Sequence, residues 1–121
     1  LIKENHIASA GSISKAINLC YDYRKDEGLN YKIEIEVTNL EELKEVLDNG
    51  KADLILIDNF EIDDMKKAVE IVNNRCEVEA SGGITFENLR RIAETGVDRI
   101  SIGALTHSVK AFDLSLLIDK K

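Results

Sequence analysis

The stretch Asp53-Leu-Ile-Leu-Ile-Asp58 holds four consecutive apolar residues between two acids. A strand with no polar alternation needs cover on both faces, which is the situation inside a parallel sheet. Working outward from it, Ile62 to Asn74 carries Met65, Ala68, Val69 and Val72 on one helical face. Cys76 to Ser81 reads as the next strand, stopped by Gly82-Gly83. Thr85 is expected to cap a helix with Leu89, Ile92 and Ala93 inward and Gly96 at its end. Asp98 to Gly103 reads as a further strand, followed by one or two short helical stretches between Thr106 and Ile118. Upstream, Asn39 with Glu42 predicts a capped helix bearing Leu40, Leu43, Val46 and Leu47, ended by Gly50. Tyr31 to Thr38 alternates with period two and reads as a strand. Ser12 to Arg24 places Ile13, Ala16, Ile17 and Cys20 on one face of a helix, and Leu1-Ile-Lys reads as the end of an earlier strand. Strands alternating with helices through short loops predict an α/β protein with a parallel sheet, either a (β/α) barrel or a doubly wound sheet. The expected organisation is one domain without linker, low-complexity tract or clear repeat.

The 121 residues suffice for one buried core. With 16 basic and 23 acidic side chains the net charge is −7, which argues against a nucleic-acid or anionic-membrane surface. No apolar run reaches the ~18 residues of a membrane span, and no signal-peptide pattern opens the chain. Cys20 and Cys76 lack metal-ligand spacing and read as buried free thiols of a reducing, cytoplasmic setting.

Strand alternation assigns the chemistry. If Ile33, Ile35 and Val37 pack on helices, then Glu34 and Glu36 point to the other face. So do Leu54, Leu56 and Asp58, then Glu77, Glu79 and Ser81, then Arg99, Ser101 and Gly103. Each strand thus offers a polar residue near its C-terminal end: Glu36, Asp58, Ser81 and Ser101. Barrel active sites occupy that end. The bland reading, solvated or helix-capping carboxylates, weakens as the placement repeats over four strands. Ser81-Gly82-Gly83 and Ile102-Gly103-Ala104 both follow strands, and glycine lets backbone amides approach an anion closely. Two such turns in adjacent units point to a phosphate. Glu36 and Asp58 would repel it unless Mg²⁺ or ligand hydroxyls intervene. Lys3, His6 and His107 are the nearby candidates for ligand contact, with capping or loop roles as the alternative for each histidine.

Leu1-Ile-Lys-Glu-Asn-His-Ile-Ala, Ile33-Glu-Ile-Glu-Val-Thr-Asn-Leu, Ile57-Asp-Asn-Phe, Glu79-Ala-Ser-Gly-Gly-Ile-Thr and Thr95-Gly-Val-Asp through Gly103-Ala-Leu-Thr-His-Ser together resemble the quinolinate phosphoribosyltransferase family. The resemblance spans essentially the whole chain. It implies the C-terminal part of a TIM-like (β/α) barrel, incomplete here. The activity it implies belongs to NAD biosynthesis: quinolinate and phosphoribosyl pyrophosphate give nicotinate mononucleotide, pyrophosphate and CO₂. It further implies catalytic and substrate-binding roles for Lys3, Glu36 and Asp58, the latter two at ribose hydroxyls and a Mg²⁺ region. Ser81, Gly82, Gly83, Ser101, Ile102 and Gly103 would cradle the 5-phosphate, with His107 beside it. Family members are longer dimers with an N-terminal α/β domain and early strands bearing arginines. From that difference the 121 residues are expected to be a C-terminal portion, inactive alone, with Leu54 and Leu56 left uncovered and a self-associating edge. The alternatives are a non-enzymatic remnant that binds phosphate or docks to a partner, and another phosphate-binding barrel enzyme.

Overall fold

A computed structural model of the chain describes residues 1–106. The predicted tail helix and His107 lie outside the described residues. The strands are β1 (Glu34–Val37), β2 (Leu54–Asp58), β3 (Glu77–Ser81) and β4 (Arg99–Ile100). All pair in parallel, in the order β1-β2-β3-β4. Ile2 forms an isolated parallel bridge to Ile35 beyond β1. Its amide donates to the Glu34 carbonyl at 2.8 Å and its carbonyl accepts from Glu36 at 2.9 Å.

The helices are α1 (Glu4–Ala10), α2 (Ile13–Asp26), α3 (Leu40–Asn49), α4 (Ile62–Val72) and α5 (Leu89–Ala93). Each packs against its neighbour in chain order. Ile35, Val37, Ile55, Ile57, Val78 and Ala80 from the sheet share one core with Ile17, Leu43, Val46, Met65 and Val72 from the helices. Leu54 and Leu56 stand apart from that cluster, on the opposite face of the sheet. Helices on one face and strands in sequential order make this a barrel segment, since a doubly wound sheet carries helices on both faces.

Several expectations change. Leu54 and Leu56 are only 3% and 6% exposed. The register sets Leu54 between Glu34 and Glu77, and Leu56 between Glu36 and Glu79. These flanking glutamates share the face with the leucines, and Glu34 Oε1 and Glu77 Oε2 are themselves buried there. α1 occupies a stretch for which the sequence pattern predicts no element, because it offers little apolar periodicity. Polar ends define it instead: Glu4 in the first turn favours the helix dipole, His6 Nδ1 accepts from the Lys3 amide at 3.0 Å, and Gly11 closes it at φ +91°. α5 begins at Leu89, not after Thr85. The Thr85 amide donates to Asn88 Oδ1 at 2.9 Å, so Asn88 closes a turn that delays the helix. β4 ends after Ile100, with one further bond from the Ser101 amide to the Ala80 carbonyl. Ile102 finds no ladder partner because β3 turns away at Gly82 and Gly83, and a 3₁₀ turn (Gly103–Leu105) follows. Cys20 and Cys76 are free but half-buried.

A repeat also emerges. Asp53 Oδ2 accepts from the Ile33 amide at 2.7 Å, and Asp98 Oδ2 accepts from the Val78 amide at 2.8 Å. Asp98 and Val78 each stand 45 residues after their counterparts, and Leu43-Lys-Glu-Val and Leu89-Arg-Arg-Ile occupy matching helices. In both units an aspartate before one strand ties the start of the previous strand. The sequence match is offset by one residue between helix and strand, which conceals it from a fixed-period search.

Candidate active site

Lys3 leaves the Ile2 bridge on the face shared with Glu34 and Glu36, and its Nζ lies 3.1 Å from Glu36 Oε2. This hydrogen bond and the Glu36 charge raise the Lys3 pKa above its ordinary value, with Asp58 adding a smaller push. Lys3 is half exposed, whereas the Glu36 side chain is 13% exposed. Glu36 is therefore not at the rim. Register puts it level with Leu56 and Glu79, one layer below Asp58 and Ser81. The position level with Asp58 on this strand falls to Thr38, whose amide and hydroxyl both donate to Glu42.

Asp58 and Ser81 are register partners at the C-terminal ends of β2 and β3. Beyond them, residues 81–87 and 101–104 with Thr106 line an open cleft of about 1000 Å³. Ser81, Gly82, Gly83, Ser101, Ile102 and Gly103 all contribute to this one cleft, as the pair of glycine turns predicts. Among the described residues no lysine or arginine lines it. An anion there would rest on backbone amides, and those of Gly82 and Gly83 make no backbone hydrogen bond among the described residues. The Ser101 hydroxyl donates to Glu79, so it is turned down into the sheet face rather than into the cleft.

Deeper in the face the charges are committed. Glu77 accepts from Lys32 at 2.8 Å, and Arg99 Nη2 lies 2.6 Å from its other oxygen as an ion pair. The Lys32 hydrogen bond, with Arg99, holds the Glu77 carboxyl below the usual range. Glu34 differs: burial, then the neighbouring Glu79 charge, pushes its carboxyl up. Among the described residues no three acidic, histidine or cysteine side chains form a metal-binding group.

Two site residues went unrecognised in the sequence. Asn59 follows Asp58 with φ +56°. Its Nδ2 donates to Asp58 Oδ2 at 2.7 Å and its amide donates to the Ser81 carbonyl at 2.9 Å. Asn88 braces the glycine turn from the other side, donating from Nδ2 to the Gly83 carbonyl at 3.0 Å. An asparagine directly after a strand-end aspartate is the signal that could have marked Asn59, since asparagine tolerates the left-handed region. His6 is the third residue of α1, its Nδ1 accepting from the amide of the N-cap Lys3, and His107 falls outside the described residues.

The sequence pattern of the family described as quinolinate phosphoribosyl transferase, C-terminal domain, matches residues 1–117. The chain belongs to this family. It is 42% identical over 133 residues to the chloroplastic nicotinate-nucleotide pyrophosphorylase [carboxylating] of Arabidopsis thaliana, a match covering 98% of this chain and 38% of the relative. It is 43% identical over 125 residues to a probable nicotinate-nucleotide pyrophosphorylase [carboxylating] of Methanocaldococcus jannaschii, covering 96% and 42%. The solved nicotinate-nucleotide pyrophosphorylase of Francisella tularensis superposes with a TM-score of 0.83 at 45% identity, over 94% of this chain and 39% of the other. The chain therefore spans about two-fifths of the length of these relatives. Among the described residues no helix is long and apolar enough to cross a membrane.

Proposed function

We propose that this quinolinate phosphoribosyltransferase-family chain supplies the ribose- and phosphate-binding part of a site that makes nicotinate mononucleotide from quinolinate and phosphoribosyl pyrophosphate. The observation that carries the reading is that Asp58 pairs with Ser81, the first residue of one of two glycine turns that line a single cleft, with the Lys3–Glu36 pair one layer below on the same sheet face. The 5-phosphate sits on the amides of Gly82, Gly83 and the Gly103 turn, where close backbone approach replaces side-chain charge. Glu36 and Asp58 accept from ribose hydroxyls and favour positive charge at C1 as the C1–O bond breaks and pyrophosphate leaves with its electron pair. The quinolinate nitrogen then forms the new bond to C1. Loss of the adjacent carboxylate as CO₂ leaves an electron pair on the ring carbon, which takes a proton from solvent. Lys3 faces the substrates' anionic groups and holds Glu36.

The donors suit Mg²⁺ only when substrate oxygens complete its shell, because Asp58 and Glu36 are two carboxylates and one of them already faces Lys3. Bound in that way, the ion would screen pyrophosphate charge. Cationic help from the described residues is small, since Arg99 is taken by Glu77 and Lys3 by Glu36. The basic half of the site then comes from further polypeptide, in a dimer like those the resemblance implies. The free thiols of Cys20 and Cys76 suit a reducing compartment such as the cytoplasm.

Titration of the 121-residue chain with phosphoribosyl pyrophosphate and Mg²⁺ tests the reading. Binding that weakens in Asp58→Asn, without formation of nicotinate mononucleotide from added quinolinate, is the expected result. Absence of binding, or binding indifferent to Asp58→Asn, overturns the site. Turnover by the chain alone overturns the requirement for a separate basic half.

A further inference from the structure

We infer that Asn59 is a positioning residue that couples the Asp58 carboxylate to the Gly82-Gly83 turn. The inference rests on the proposed function only in taking those two elements as the ribose and phosphate contacts. Asn59 touches both at once. Its Nδ2 donates to Asp58 Oδ2 at 2.7 Å, which restrains the carboxylate and leaves Oδ1 unused by the described hydrogen bonds. Its amide donates to the Ser81 carbonyl at 2.9 Å, one residue before the turn. Its Oδ1 and Cγ lie so near Gly82 that a Cβ there would stand 2.3 and 2.5 Å from them. A left-handed residue at φ +56° is what allows one side chain to reach both neighbours. Such backbone is uncommon outside glycine, and asparagine is among the few residues that accept it. A shift of Asp58 therefore moves Asn59, and through it the turn that would receive the phosphate. Ribose and phosphate contacts are set at a fixed spacing before any ligand arrives, which lowers the ordering cost of binding.

The test is a double-mutant cycle in the 121-residue chain, using Asn59→Gly and Asp58→Ala. Glycine keeps the left-handed backbone and removes only the side chain. With ribose 5-phosphate as the probe, Asn59→Gly is expected to weaken binding by about tenfold or more, the scale of one hydrogen bond to a charged group, and less than about twofold once Asp58 is alanine. In parallel, amide spectra of the unliganded chain should show Asp58→Ala shifting Gly83, and that shift should vanish in the Asn59→Gly background. Equal loss of affinity in both backgrounds, or a Gly83 shift that persists without Asn59, overturns the coupling. If the native chain does not bind ribose 5-phosphate, the site reading fails. The Gly83 spectra then decide the coupling alone.

Discussion

Replacing Gly82 by alanine strikes the point where the two halves of the site touch. The new Cβ would meet Asn59 Oδ1 at 2.3 Å, Cγ at 2.5 Å and the Asn59 backbone nitrogen at 2.7 Å. A side chain could swing aside from the first two contacts, but the third is backbone and hydrogen-bonded to Ser81. Gly82 also sits at φ +87°, where a Cβ is disfavoured by about 1–2 kcal/mol. Forcing a methyl into occupied space adds about 1–3 kcal/mol. Gly83 supplies the control within the same turn. Its φ is +58°, but the nearest atom to an added Cβ is 3.9 Å away, so Gly83→Ala meets only the backbone term. The difference of about 1–3 kcal/mol corresponds to about 3–15 °C in melting temperature for a chain of this size. Thermal and urea unfolding of both variants would measure it. Equal stability of Gly82→Ala and Gly83→Ala would show that Asn59 does not pack on the turn as described, and would remove the structural basis of the proposed coupling.

Asp98→Ala strands the Val78 amide and should cost about 1–3 kcal/mol in urea unfolding, with Asp53→Ala costing more because Arg24 loses its partner as well. Equal, negligible losses would rule out the strand ties as a source of stability. Glu34 carries a raised carboxyl pKa, so the folded state holds its proton to higher pH than the unfolded chain, and stability falls as pH rises past the ordinary value of 4.5. Glu34→Gln should therefore stabilise at neutral pH, with the gain fading as pH drops through 4.5; a gain independent of pH would point to packing instead. Asp58→Asn, at the mouth of the sheet, should weaken phosphoribosyl pyrophosphate binding with little change in melting temperature, whereas Glu36→Gln should do both, because its 13% exposure and its Lys3 contact make it part of the packed layer. Calorimetric titration beside thermal unfolding separates the two outcomes.

Much of this was legible from residue order alone. The apolar run of β2, the period-two alternation of β1 and the Asn39 cap are local signals, and local hydrogen bonding and burial preserve them. The glycine turns were legible because Gly82 and Gly83 do adopt positive φ beside a cleft. What stayed hidden depends on pairs distant in sequence. Strand alternation says that Glu36 faces inward but not at what height, which only the pairing of Val37 with Ile57 fixes. β4 ends early because its neighbour turns away, not through any feature of its own residues. Asn59 joins the site through a backbone angle and a contact with Gly82. Neither is encoded in a motif of charges, so a search for chemistry-bearing residues passes over it.

The charge distribution explains why a glycine turn and an acidic sheet face belong together. A cleft lined with lysines beside Glu34, Glu36, Asp58 and Glu79 would let those acids capture the cations, as Lys3 and Arg99 are captured by Glu36 and Glu77. Backbone amides cannot be drawn away in this fashion, because the turn that holds them is fixed by the Asn59 and Asn88 side chains. Their dipoles are weaker than a full charge, but they need no reorganisation when an anion arrives. Asp58 Oδ1, which none of the described hydrogen bonds uses, is then free to meet groups that donate hydrogen bonds. A ligand with an anion at one end and hydroxyls about a sugar's length away satisfies both surfaces, whereas a bare polyanion satisfies only the turn. Under the proposed function the acidic face would select for the sugar and the amide turns for its phosphate, with Asn59 holding Asp58 against Gly82 at a fixed spacing.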